Sequence, residues 1–180
     1  MSRFASVAVL ALVCGLSALG DEPAKEFAKA VKIEFPKDGY TFTVAEAAKG
    51  VKVEYKIVVS EDRAGVVALP FGPSFAEPAG PSGLHPREAI SGNKQSYCIA
   101  DSGLAFPPKG KTATLKKGEY KHAFEWDGRN WSGPSDTNNP KGKAFPAGTY
   151  DVTVTIHGEL DTPKGRVQYS LTEKTKLVLK

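Results

Sequence analysis

The clearest signal along this chain is alternation. In "GVKVEYKIVVS" (50–60), Val51, Val53, Tyr55, Ile57 and Val59 fall on one face and Lys52, Glu54 and Lys56 on the other. Period two over nine residues predicts a half-buried β-strand. "GTYDVTVTIHGEL" (148–160) repeats the pattern, with Tyr150, Val152, Val154 and Ile156 inward. "GRVQYSLTEKTKLVLK" (165–180) aligns Val167, Tyr169 and Leu171, then Leu177 and Leu179. In "TATLKKGEYKHAFEWDG" (112–128) a Lys-Lys-Gly turn separates two strands, the second carrying Tyr120, His122, Phe124 and Trp126 on one face. "VKIEFPKDGYTFTV" (31–44) reads as strand, Pro-Lys-Asp-Gly turn, strand; "AGVVALPF" (64–71) and "QSYCIA" (95–100) read as further short strands. Helical composition appears once, at 21–32, where a frayed terminus fits as well.

About eight or nine short strands without βαβ alternation predict an all-β fold, an antiparallel β-sandwich. Between Pro70 and Lys94 the alternation lapses. Pro70, Pro73, Pro78, Pro81 and Pro86 stand among glycines, so 70–94 reads as one long loop within a single domain, 21–180.

The first twenty residues stand apart. Arg3 precedes an uncharged run, Phe4–Leu19, which ends in Ala18-Leu-Gly20 just before Asp21 and Glu22. This is the layout of a secretory signal peptide, 1–20, cleaved after Gly20. The run is shorter than the ~20 apolar residues a spanning helix needs, so no stable membrane span is expected after cleavage. Cys14 follows Val13 rather than a small residue, which argues against lipidation there. The expected location is secreted or periplasmic. Of two cysteines only Cys98 remains in the mature chain, so no intramolecular disulfide forms and Cys98 reads as a buried strand residue.

Charge changes the picture little. A net charge of +4 is spread along the chain, and no nucleic-acid motif accompanies it. His85, His122 and His157 show no metal-ligand spacing. Asp127, Asn130, Asp136, Asn138 and Asn139 supply oxygen donors, but their spacing fits no calcium loop and turn formation explains them. There is no G-x-S-x-G, and Glu61 and Asp62 are adjacent rather than facing, so neither a hydrolase triad nor a carboxylate pair emerges. No cofactor is implied, and the expectation is a protein that is not an enzyme.

The remaining chemistry lies in "FEWDGRNW" (124–131) and "FPAGTYDVTV" (145–154). Trp126 ends a strand, Asp127-Gly128 turns, 129–145 forms a polar tip, and Pro146 and Gly148 return the chain to Tyr150. This reads as a hairpin with a long tip. W-D-G, a variable loop and P-x-G-x-Y resemble the terminal hairpin of bacterial immunoglobulin-like domains of the flagellar hook-capping type, and proteins named after an intracellular proteinase inhibitor end similarly. The matching residues are Trp126, Asp127, Gly128, Pro146, Gly148 and Tyr150. The tip, the 70–94 loop and the strands beyond Gly158 exceed that pattern. The resemblance implies that the β-sandwich is of immunoglobulin-like type and serves as a scaffold, spacer or binder. The function expected is a secreted structural or protein-interaction module of a bacterial cell envelope, with another envelope protein as partner. The alternative is a carbohydrate-binding sandwich in which Trp131, with Asn130 and Tyr97, stacks on a glycan and Phe75 is a weaker aromatic; against it stands Trp131 folding back on Trp126 and Pro140.

Overall fold

A computed structural model of the chain describes residues 22–36, 38–68, 84, 86–99, 111–133 and 139–180. The signal-peptide reading, His85, Phe75, Asp136 and Asn138 lie outside the described residues.

Strand β3 (Val51–Val59) buries each of its odd-numbered side chains, as its alternation demands. It stands at the centre of a three-stranded sheet with β1 (Val31–Glu34) and β8 (Gly118–Trp126), both antiparallel to it. The second sheet is built on β9 (Gly148–Thr162) and β10 (Gly165–Leu179), which pair without a register shift from Thr162↔Gly165 to Gly148↔Leu179. The far side of β9 pairs with β5 (Pro86–Gly92), which also pairs with β6 (Gln95–Cys98). Further along β9 comes β4 (Arg63–Ala68), paired with β7 (Lys111–Leu115). Beyond β10 lies β2 (Tyr40–Phe42).

The two sheets pack face to face around one core. The smaller sheet contributes Val53, Tyr55, Ile57, Phe124 and Trp126; the larger contributes Ile90, Val152, Val154, Ile156 and Leu177. Three tyrosines tie the sheets together by hydrogen bonds. Tyr97 on β6 donates to Glu125 O on β8 at 2.9 Å, and Tyr55 on β3 to Glu88 Oε1 on β5 at 2.6 Å. Tyr40 on β2 reaches Glu54 O on β3. A buried phenol that keeps its partner adds ~1 kcal/mol net, and left unpaired it would cost more.

An all-β fold of packed sheets is thus present, and several finer expectations are corrected. Ten strands are described, and β9 and β10 have fifteen residues each, so the strands are not all short. β2 runs parallel to β10, so the pairing is not wholly antiparallel. The 70–94 stretch is not one loop. Pro86 opens β5, where a strand's first residue can do without its N–H, and the left-handed pair Asn93-Lys94 joins β5 to β6 in a tight turn.

The segment 22–30 is helix α1 (Glu22–Ala30) rather than a frayed end, because Ala24, Phe27 and Ala30 form a stripe with a sheet to cover; Phe27 lies 4.2 Å from the Tyr169 ring, centroid to centroid. A second helix, α2 (Val44–Ala48), was not expected. Thr43 and Glu46 cap it reciprocally: Glu46 N donates to Thr43 Oγ1 at 3.1 Å and Thr43 N to Glu46 Oε2 at 2.7 Å. Among the described residues no helix is long and apolar enough to cross a membrane.

Candidate functional site: the joint between the sheets

The expected hairpin of β8 and β9 does not form. β8 belongs to the three-stranded sheet and β9 to the other, so the chain from Asp127 to Ala147 carries it from one layer to the next. The face alternation of both strands is retained; only the pairing differs. A strand's own pattern states which side is buried, not which neighbour it takes.

Aromatic rings hold this crossing. Trp126 is 1% exposed and packs edge-on against Phe145 at 4.9 Å, and Phe145 lies 4.9 Å from Tyr150. The Trp126 indole N–H donates to Arg129 O at 3.2 Å, so it meets backbone and not water. The Tyr150 hydroxyl donates to Pro146 O at 2.6 Å, which fixes the entry into β9. Gly128 takes φ 71°, and a β-carbon there would stand 3.1 Å from Ala47 Cβ on α2; both the turn and the neighbouring helix demand glycine.

The arms of the joint pair with each other. Arg129 and Ala144 form an antiparallel bridge, Phe145 N donates to Gly128 O at 2.7 Å, and Asn130 N donates to Lys143 O at 2.9 Å. The joint then docks on β6: Trp131 N donates to Ser96 O at 3.1 Å and Cys98 N to Trp131 O at 2.9 Å. Trp131, Asn130 and Tyr97, suspected as ligand contacts, are therefore neighbours, though far apart in sequence.

Their environments differ. Tyr97 is 3% exposed and sealed inside, and burial pushes its hydroxyl up to about 12, with Asp127 adding to the effect. Asn130 Oδ1 accepts from Ser96 N at 2.8 Å, and its Nδ2 donates to Lys143 O at 2.7 Å. Trp131 is half-buried, 6.0 Å from the Tyr97 ring; its N–H donates to Asn139 O at 3.0 Å, and the Lys141 ammonium lies 5.7 Å from its ring centroid. It rests on Tyr97 and has no ring pairing with Trp126.

Beside the joint is a recess of about 360 Å³, walled by Ala47 and Ala48 of α2 and by Gly128, Ala144 and Phe145, with Asp127 and Arg129 at its side. Asp127 Oδ2 pairs with Lys141 Nζ at 2.7 Å, while Oδ1 is shielded without a hydrogen-bond partner. Chemically the recess can seat a small apolar group. Asn139 is engaged with Ser132 and Gly133, and among the described residues no three His, Cys, Asp or Glu side chains gather to hold a metal.

Other reactive side chains are dispersed. Cys98 is half-buried and opposes Ala89; because Glu88 and Ile90 point into the core, Ala89 and Cys98 point outward. His122 points into the core from the opposite sheet, so the two do not form a pair. Glu61 and Asp62 are exposed and engaged, Glu61 with Arg63 and Asp62 with Lys116 at 2.8 Å. The buried acid is instead Glu88, hidden in the Pro/Gly-rich stretch; burial raises its carboxyl above the usual range, and the Tyr55 hydrogen bond pulls the other way.

Comparison with protein-family models, with curated proteins and with solved structures finds no match for this chain.

Proposed function

We propose that this chain is a secreted, non-enzymatic module of a bacterial cell envelope, built on an immunoglobulin-like sandwich and serving structure or contact with another envelope protein. One observation carries the reading. The polar atoms of all three side chains are taken up by backbone: Asn130 Oδ1 by Ser96 N of β6, the Tyr97 hydroxyl by Glu125 O of β8, and the Trp131 indole N–H by Asn139 O within the joint. Side chains so engaged serve as fasteners. The tyrosine bonded to a carbonyl four residues upstream, Tyr150 to Pro146, also resembles the corner found where immunoglobulin-type strands change sheets. The charged start and apolar run of residues 1–20 support export.

The test is expression of the full chain in a bacterial host, with N-terminal sequencing and fractionation. Cleavage after Gly20 and recovery outside the cytoplasm fit the proposal; an uncleaved cytoplasmic chain overturns it. The glycan reading keeps one supporting observation, the partly exposed side chain of Trp131. Glycan-array binding that Trp131→Ala abolishes would favour it over the protein-contact reading.

A further inference from the structure

The long strand β10 has an unused side. Lys180 turns both backbone groups toward β2, its N–H donating to Phe42 O at 2.9 Å and its carbonyl accepting from Val44 N at 3.0 Å. The β9–β10 ladder has no register shift, so every even-numbered residue of β10 aims its N–H and C=O to that same side. β2 covers only Leu177–Leu179, and the Gly39 turn sits against Lys176 O. From Arg166 to Lys174 the even-numbered backbone groups have no partner among the described residues. There is no proline and no bulge in this stretch; helix α1 meets β10 through Phe27 and the Tyr169 ring, on its buried face, and the charges between Arg166 and Lys174 are confined to Arg166, Glu173 and Lys174.

We propose that this edge pairs antiparallel with the same strand of a second copy, about a two-fold axis at Tyr169. Among registers that keep even-numbered residues opposite one another, the longest within residues 165–174 of β10 free of opposed like charges is centred on Tyr169; centred on Gln168 the ladder would shorten to 165–171. Even-numbered residues must oppose even-numbered ones for their backbone groups to meet. Centred on Tyr169, Arg166 faces Thr172, Gln168 faces Ser170 and Val167 faces Leu171, with no like charges opposed inside the ladder. Val167 and Leu171 are half-buried and gain cover from each other. Centred one residue later, on Ser170, Arg166 would oppose Lys174 and Val167 would oppose Glu173. Lys164 and Lys174 oppose each other just beyond the Tyr169-centred ladder and end it. The pairing is separate from the joint and holds whatever the joint contacts.

Sedimentation velocity on the purified chain should show a concentration-dependent dimer. Ser170→Pro removes an N–H that bonds nothing within the monomer, so it should give a folded monomer by circular dichroism. Thr172→Lys and Thr172→Glu both lose the Thr155–Thr172 hydroxyl contact of 3.1 Å, so their difference reports the charge facing Arg166. The dissociation constants should differ on the order of tenfold, Glu tighter. Amides of Gln168, Ser170 and Thr172 in the unaltered chain should be protected only in the dimer. A chain that stays monomeric at its highest soluble concentration, a dimer indifferent to Ser170→Pro, equal constants for the Thr172 pair, or amide exchange independent of concentration would each overturn the proposal.

Discussion

Tyr169 on β10 lies across Gly158, the residue it opposes on β9, so closely that a β-carbon at 158 would stand 2.3 Å from the phenol oxygen. A glycine inside a strand ordinarily weakens it, and replacement by alanine ordinarily stabilises by removing freedom from the unfolded chain. Here the ring occupies the space the methyl would need. Gly158→Ala should therefore destabilise by about 1–3 kcal/mol, the range for overpacking a core, read from urea midpoints. A gain in stability would show that the ring moves aside at little cost.

The same ring buries a hydroxyl with no partner, and burial pushes that hydroxyl's pKa upward. Tyr169→Phe removes a desolvated group without opening a cavity. It should raise stability, or leave it unchanged, by up to about 2 kcal/mol. A clear loss would mean that the hydroxyl is bonded in solution.

Tyr55 joins two titrating groups. It donates to Glu88 and stacks on His122 with centroids 5.2 Å apart. Burial lowers the His122 pKa below 6.5, so the unfolded chain takes up the proton first. Its contribution is full above pH 6.5 and is lost as pH falls. Glu88 acts oppositely: its folded pKa is raised above 4.5, so its contribution is full below that value and is lost as pH rises. Glu88→Gln should gain stability at neutral pH, and His122→Phe should flatten the acid-side slope. Urea midpoints measured every half unit between about pH 4.5 and 7.5 test both signs. Identical slopes in all three proteins would remove these groups from the pH response.

Legibility from sequence divided along one line. Which face of a strand is buried was plain for Val51–Val59, Tyr150–Ile156 and Tyr169–Leu179, because period two is a local property. Which strand pairs with which was not. β1 and β2, β7 and β8, and β8 and β9 each follow one another like hairpins, yet each pair is divided between the sheets. Thr43-x-x-Glu46 was a readable helix start that the flanking strand signals obscured. At the joint, residue type pointed to Trp131, Asn130 and Tyr97, and they do meet; their hydrogen bonds depend on β6 reaching the joint, which no local pattern records. Glu88 was hidden by the prolines around it.

The crossing depends on Phe145, which touches both Trp126 and Tyr150 and is 1% exposed. Phe145→Ala should cost about 3–5 kcal/mol, as for other buried aromatic truncations. Tyr150→Phe removes only the bond to Pro146 O and should cost about 1 kcal/mol. A Phe145→Ala penalty no larger than that of Tyr150→Phe would mean that the joint is held by its backbone bridge alone.

The two tryptophans give separable optical signals, which test where each ring lies. Trp126 is sealed by Phe145 and Tyr97, whereas Trp131 is half-exposed beside the Lys141 ammonium. Iodide, drawn to that cation, should quench Trp131 and leave Trp126 untouched. Trp131→Ala should abolish most of the quenching and shift the remaining emission to the blue. Its stability cost should stay below the ~3–5 kcal/mol expected for Trp126→Ala, because part of the Trp131 side chain already faces water. Strong quenching that survives Trp131→Ala would place Trp126 in solvent, which the packing of Phe145 and Tyr150 against the joint does not allow.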